Sequence, residues 1–319
     1  MRHPAYQLRP NKAVDRFFLV EAIRRLAQLE DLSEYTYFGL GGPYLEDFRL
    51  LYERFPEIAL VSVERKDAVF RRQRFHLPCG TLKLRRSDVR SFVGAYSAKD
   101  RKSIFWLDYT GLDYGNFEDF MTLLGKVAEG SMIKITLRCE PRSYIDARSE
   151  AVGGRAEEFV RRFGGIMPDA TAPPPRTPEG FACLLRDMLQ VAALKALPSA
   201  FPFMFQPISS FYYSDGTYMF TLTGIVCRRD VAEEVRQVFG GLPFCNLDWA
   251  APQEIDLPIL STKERLHLEQ FLPCDEDAGR TLQQALGYQV DADRRKSEKR
   301  LKKYADFHRF YPYFMRAVP

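Results

Sequence analysis

The segment Tyr35-Thr-Tyr-Phe-Gly39-Leu-Gly41-Gly42-Pro43 ends an apolar run in a cluster of glycines. Glycines at a strand-to-helix turn let the backbone approach a ligand with no Cβ in the way. Glu64 stands 25 residues after Gly39, at the end of a second apolar run. An acid there can accept hydrogen bonds from both hydroxyls of a ribose. Ser87-Asp88-Val89 follows a third run, where Asp88 can accept from an adenine amino group. A fourth run closes in Trp106-Leu107-Asp108-Tyr109-Thr110-Gly111, and a fifth, Gly130-Ser-Met-Ile-Lys134-Ile-Thr-Leu-Arg138, encloses a lysine. A buried ammonium is costly, so such a lysine has a partner or a purpose.

The runs that carry these residues predict the architecture. Tyr35–Leu40, Ile58–Glu64, Thr81–Leu84, Ile104–Asp108 and Met132–Leu137 are short and apolar, and amphipathic stretches at 44–55, 66–76 and 115–129 alternate with them. Strands covered on both faces by crossover helices read this way, so 33–230 is expected to be an α/β doubly wound core with a parallel sheet. The three acids and the glycine turn then fall at the carboxyl ends of the first four strands, where open α/β sheets bind ligands. Residues 12–30 carry Val14, Phe17, Phe18, Ile23 and Leu26 at helical spacing, an amphipathic helix within an N-terminal segment, 1–32. After the fifth strand, 139–205 holds two helices, about 145–163 and 179–196, around the proline-rich Pro168–Pro178. An antiparallel hairpin follows, Ile208–Tyr213 and Tyr218–Cys227 about the turn Ser214-Asp215-Gly216. Residues 231–319 read as a helical subdomain.

Five parallel strands closed by an antiparallel hairpin, with this glycine turn and these acids, resemble the class I S-adenosylmethionine-dependent methyltransferases, with their Rossmann-like fold, over 33–230. The resemblance implies S-adenosyl-L-methionine as cofactor. Gly39, Gly41 and Gly42 would lie along its methionine part, Glu64 would hold the ribose and Asp88 the adenine, and Asp108 and Tyr109 would face the methyl. That family usually carries an acid two residues before the first glycine, where this chain has Tyr37. A dinucleotide-binding dehydrogenase is disfavoured, because its G-x-G-x-x-G would need glycine where Tyr44 stands. The segment after the fourth strand also lacks the Asp/Asn-Pro-Pro-aromatic motif of adenine-modifying relatives.

A weaker resemblance concerns the acceptor. The ribose 2′-O-methyltransferases use two lysines, an aspartate and a glutamate. Lys134 and Asp108 resemble the strand lysine and the aspartate of that set, and Lys12 in Arg9-Pro-Asn-Lys12 is the candidate second lysine. No glutamate stands at the matching point of the hairpin, where Asp215 and Thr217 are nearest. The 139–205 insert follows a strand's carboxyl end and is expected to overhang the site and shape the acceptor pocket.

Charge points to a partner. The chain has 46 Lys and Arg against 42 Asp and Glu, yet 294–316 alone holds nine cations and two acids, so the excess sits in one terminal segment. Leu301, Tyr304, Phe307, Tyr311 and Phe314 recur there at three- and four-residue spacing. As a helix, this segment would dock an aromatic face and present Arg295, Lys299, Lys302 and Lys303 to phosphates of a nucleic acid, RNA first. The alternatives are a small-molecule or protein O-methyltransferase, a non-catalytic nucleic-acid-binding module, and a protein partner that completes the site. No apolar run is long enough to span a membrane. Met1-Arg2-His3-Pro4 opens no secretory core. Six dispersed cysteines and four histidines form no metal motif, so the expectation is a cytoplasmic protein without a metal site.

Overall fold

Alternating apolar strands and amphipathic helices give a parallel sheet in the computed structural model, which describes residues 9–98, 101–145, 154–169, 173–274 and 277–312. The strands are β1 (Tyr35–Gly39), β2 (Ala59–Glu64), β3 (Lys83–Arg86), β4 (Lys102–Asp108), β5 (Met132–Arg138), β6 (Phe203–Ser214), β7 (Tyr218–Arg228) and β8 (Gln253–Ile255). Their order is β3-β2-β1-β4-β5-β7-β6-β8. β1 to β5 run parallel, and β7 joins β5 antiparallel with Lys134 opposite Thr223 and Arg138 opposite Met219. The expected fold class is therefore the observed one, with β3 two residues later than the apolar run suggested and β8 an addition.

The helices are α1 (Pro10–Leu26), α2 (Glu46–Arg54), α3 (Asp67–Phe75), α4 (Val89–Ala95), α5 (Tyr114–Leu124), α6 (Pro141–Ile145), α7 (Gly154–Phe163), α8 (Pro178–Ala196), α9 (Ala232–Gly240), α10 (Thr262–Glu269), α11 (Ala278–Leu286) and α12 (Arg294–Phe307). Local chemistry starts several of them. Asp88 accepts from the Ser91 N–H at 2.9 Å and begins α4, a seven-residue helix too short for its periodicity to register in the sequence. Asp113 and Asn116 form a capping box on α5, and Thr177 followed by Pro178 starts α8.

The chain divides into two compact units, 19–212 with 217–253, and 1–18 with 213–216 and 254–319. In the first, alternate strand residues face two apolar layers. Phe105, Leu107, Ile133, Ile135 and Leu137 pack with α4, α5 and α8, while Ile104, Trp106 and Met132 pack with α2, α9 and the second half of α1. Segment 231–253 belongs to this unit because Val235 and Phe239 are buried in the second layer. α8 buries Phe181, Leu185, Met188 and Leu189 in the first layer. It is thus a core crossover helix. α1 differs from a one-sided helix, since Leu19, Val20 and Ala22 are buried along with Val14, Phe18, Ile23 and Leu26.

In the second unit, Leu301, Tyr304, Phe307 and Tyr311 are all buried, which is the expected aromatic stripe of α12; Phe314, Arg316 and Met1–Pro4 lie outside the described residues. The Asp215 carboxylate accepts from the Lys12 N–H at 2.9 Å and from the Asn11 side chain at 3.0 Å. It thereby satisfies free donors at the start of α1.

Candidate active site

The glycine turn is shaped from beneath by two aromatic rings. A Cβ on Gly39 would stand 2.7 Å from the Tyr37 hydroxyl, and one on Gly41 would stand 2.5 Å from the Phe48 ring. Both glycines are therefore dictated by packing, with Tyr37 occupying the place of the family's acid. Gly42 adopts φ +53° with open space around its Cα, and Gln73 Nε2 holds its carbonyl at 2.8 Å. The turn presents open backbone at this one residue and is anchored on its other side.

Glu64 ends β2, and its Oε1 accepts from the Lys66 N–H at 2.6 Å. Asp88 Oδ1 is taken by α4, and the hydrogen bonds from Ser91 hold its carboxyl below the ordinary 3.8. Both acids have the bland local role that their positions allow, and Glu64 Oε2 makes no hydrogen bond among the described residues. Between them opens an apolar cleft lined by Phe38, Gly39, Val63, Val89, Phe92 and Leu107, among others. Its free volume of about 10 Å³ is room for one water-sized sphere, so a ring would enter only if the lining side chains move. Its lining residues are chain neighbours of the acids: Val63 precedes Glu64, Val89 follows Asp88, and Leu107 precedes Asp108.

The acceptor end differs more from expectation. Asp108 ends β4 half-buried, paired in register with Thr136. Tyr109, expected to face the methyl, turns its ring toward the first apolar layer and donates its hydroxyl to Asp119 Oδ2 at 2.7 Å. Burial and the Asp119 charge raise the phenol's pKa. Asp119 on α5 is 6% exposed. Burial raises its pKa, while Tyr109 and Arg90 pull it down. The periodicity of α5 gives no sign of this buried acid, because it replaces a core residue on an apolar stripe.

Lys134 is 1% exposed, and its ammonium does not snorkel to solvent. Nζ lies 5.1 Å from the Trp106 ring centroid and 3.5 Å from Thr223 Oγ1. Trp106 Nε1 donates in turn to Thr136 Oγ1 at 3.0 Å. The lysine sits in a polar stripe buried in the sheet. Lys12 belongs to the other unit; its backbone joins the Asp215 cap and its residue is buried.

Two residues missed in the sequence stand at the carboxyl end of β5. Arg138 follows Lys134 and Thr136 on the same face, with its Nε buried and its guanidinium making no hydrogen bond or ion pair among the described residues. The alternation 134, 136, 138 is the signal that could have found it. Tyr144 on α6 accepts from the Leu112 N–H at 3.0 Å and fixes the α6 insertion to the loop after β4. Burial raises its pKa, and the Arg138 charge opposes that rise.

On α12, Lys299 pairs with Glu254 at 2.6 Å, so this predicted phosphate ligand is engaged internally. Among the described residues, Arg295, Lys302 and Lys303 make no such pair. No described helix is long and apolar enough to cross a membrane.

A sequence profile for a family described as "Putative O-methyltransferase" matches residues 4–319. No curated protein matches the chain. Among solved structures, the chain is similar to a probable spermidine synthase from Corynebacterium glutamicum at 13% identity, with 78% of this chain and 81% of that one covered and a TM-score of 0.43. An O-methyltransferase family protein from Burkholderia thailandensis matches at 13% identity over 68% of this chain and 59% of that one, with a TM-score of 0.33. LepI in complex with S-adenosylmethionine matches at 11% identity over 64% and 46%, with a TM-score of 0.37. The chain spans less than two-thirds of the last two proteins, and the family rests on the profile. That profile runs over nearly the whole sequence, and the chain belongs to this family of O-methyltransferases, built on the class I fold whose methyl donor is S-adenosyl-L-methionine.

Proposed function

We propose that the chain binds S-adenosyl-L-methionine across the carboxyl ends of β1 to β4 and methylates a hydroxyl oxygen of an acceptor held over β4 and β5. The observation that carries this reading is the apolar cleft whose lining residues adjoin Glu64, Asp88, Asp108 and Gly39. The cleft takes the adenine ring as its lining side chains move apart, and the Asp88 carboxylate accepts from the adenine amino group. The second oxygen of Glu64 accepts from the ribose hydroxyls, and the Gly39–Gly42 backbone runs beside the methionine part. When bound, the cofactor supplies an electrophilic methyl carbon on a sulfonium. Asp108 accepts the acceptor's hydroxyl hydrogen bond, orients the oxygen and takes its proton. Lys134 is a positioning residue, holding Trp106 two residues before Asp108.

Arg138 sets the acceptor's character. A buried polar atom left unpaired costs about 1–3 kcal/mol, and a guanidinium binds carboxylate or phosphate through two parallel N–H bonds. An anionic group near the reacting hydroxyl would satisfy Arg138 and fix the acceptor. This favours a small anionic hydroxy compound over a nucleic acid recruited by α12. Six free thiols suit a reducing cytoplasm.

Calorimetry with S-adenosylmethionine on the wild type and on Glu64→Ala tests the reading. Wild-type binding that the substitution weakens by tenfold or more, about 1.4 kcal/mol, supports it. A well-folded wild type that does not bind overturns it.

A further inference from the structure

We infer that the α3–β3 edge of the sheet is a binding surface for single-stranded nucleic acid, a property independent of the methyl-transfer reading. Residues 64–90 contain nine Lys and Arg against three acids. Asp67 meets Arg71 at 2.6 Å and Arg86 at 3.4 Å, and Arg90 turns away to Glu118 and Asp119 on α5. Arg74, Lys83 and Arg85 are exposed and make no side-chain hydrogen bond or ion pair among the described residues. Lys83 and Arg85 continue with Arg101 along a solvent-open groove of about 410 Å³ that crosses β1, β2 and β3.

Cations on an edge strand also deter pairing with another sheet. That account covers Lys83, Arg85 and Arg86, but neither the cations of α3 nor the rings among them. Phe75 is 86% exposed, the most exposed of the large apolar side chains. His76 lies edge-on to it at 5.1 Å and to Tyr44 at 5.2 Å. The Arg72 guanidinium sits 4.8 Å from the Tyr44 ring and donates to its hydroxyl at 2.8 Å. Three rings held by one another among guanidinium groups form a stacking platform on the α3 face of the sheet, and the groove with Lys83 and Arg85 lies on the α4 face, so a strand passing over the open edge of β3 would meet both. Unpaired bases present their faces to such rings while their phosphates meet the cations. A duplex hides those faces, so the rings select a single strand.

The test is fluorescence anisotropy with a fluorescein-labelled single-stranded RNA of about 20 nucleotides, longer than one such binding site, titrated at several salt concentrations. Each variant's fold is checked by circular dichroism and melting. The wild type is expected to bind with a salt-dependent affinity. The triple variant Arg74→Glu/Lys83→Glu/Arg85→Glu is expected to weaken binding at least about tenfold and to reduce the log–log salt slope by roughly 2. Phe75→Ala is expected to weaken it about fivefold or more with the slope unchanged, because stacking releases no counterions. Lys302→Glu/Lys303→Glu on α12 should stay within about twofold. Absence of binding at low salt overturns the inference. So does an equal loss in the α12 variant, or a duplex that binds as well as the single strand and ignores Phe75→Ala.

Discussion

The chain has two cation-rich segments of similar charge, and they are built differently. Residues 294–316 hold nine cations and two acids, and residues 64–90 hold nine and three. On α12 the cations meet acids of the same unit, one on the helix itself and three brought from elsewhere. Arg294 pairs with Glu298, Lys296 with Asp291, Lys299 with Glu254, and Arg300 with both Asp256 and Asp291. Four cations are matched by four acids, and the helix is fastened through them. Around α3 and β3, Asp67 is shared by two arginines, and Arg74, Lys83 and Arg85 face solvent. Charge along a sequence thus measures binding potential only after the acids that fold against it are subtracted.

If α12 is a structural helix, its core face should dominate its mutational profile. Leu301 is fully buried, and Leu301→Ala removes its packing and leaves a cavity. The expected loss is about 2–5 kcal/mol, read as a lower urea midpoint at unchanged m-value. A loss under about 1 kcal/mol would detach the helix from its unit and restore the picture of a free basic arm.

Arg90 is the exception within the α3–β3 segment, since it faces Glu118 and Asp119 rather than solvent. Asp119→Ala leaves the buried Tyr109 hydroxyl without its acceptor, at an expected cost of about 1–3 kcal/mol. Asp119→Asn keeps an acceptor and should cost less than that. The pH dependence separates the two effects. Burial raises the Asp119 carboxyl above its ordinary 3.8, so the folded protein holds that proton more tightly than the unfolded chain. Its contribution to stability therefore falls as pH rises from near 3.8 through the raised value, and is level above it. The wild-type-minus-Asn difference in unfolding free energy should show this fall, measured by urea titration across the acid range. Arg90→Ala should extend the fall to higher pH.

Much of the fold was legible because parallel strands must be apolar on both faces and because glycine and acid positions punctuate their ends. α4 escaped because its start depends on one Asp88 cap rather than on periodicity. The placement of Gly39, Glu64 and Asp108 at strand ends, and of Asp88 two residues past β3, was also legible, because strand ends can be counted. The acceptor end was not, because it depends on side-chain direction. Tyr109 was expected at the methyl and donates to a buried Asp119, and Lys134, a candidate for catalysis, is buried with its ammonium 5.1 Å from the Trp106 ring centroid. The role of α8 was equally hidden. An insert read from length overhangs a site, whereas the buried face of α8 makes it part of the core.

The finest distinction between the two basic regions is energetic. Arg300 is bound by two acids at 3.1 and 2.8 Å, with its side chain 29% exposed. Removing it as Arg300→Ala leaves Asp256 without that partner and Asp291 with Lys296 alone, and should cost about 1 kcal/mol, the upper end for surface ion pairs. Arg85→Ala, which breaks no pair, should stay within about 0.5 kcal/mol. Added salt should shrink the Arg300 penalty, because screening weakens the pairs it loses, and should leave the Arg85 value unmoved. In RNA binding the order should reverse, with Arg85→Ala the more damaging of the two. One residue would then matter to stability and the other to affinity, although both are arginines in segments of nearly equal net charge. Equal stability costs for the two variants would mean that the α12 pairs contribute nothing measurable, and that the contrast between the regions lies in geometry alone.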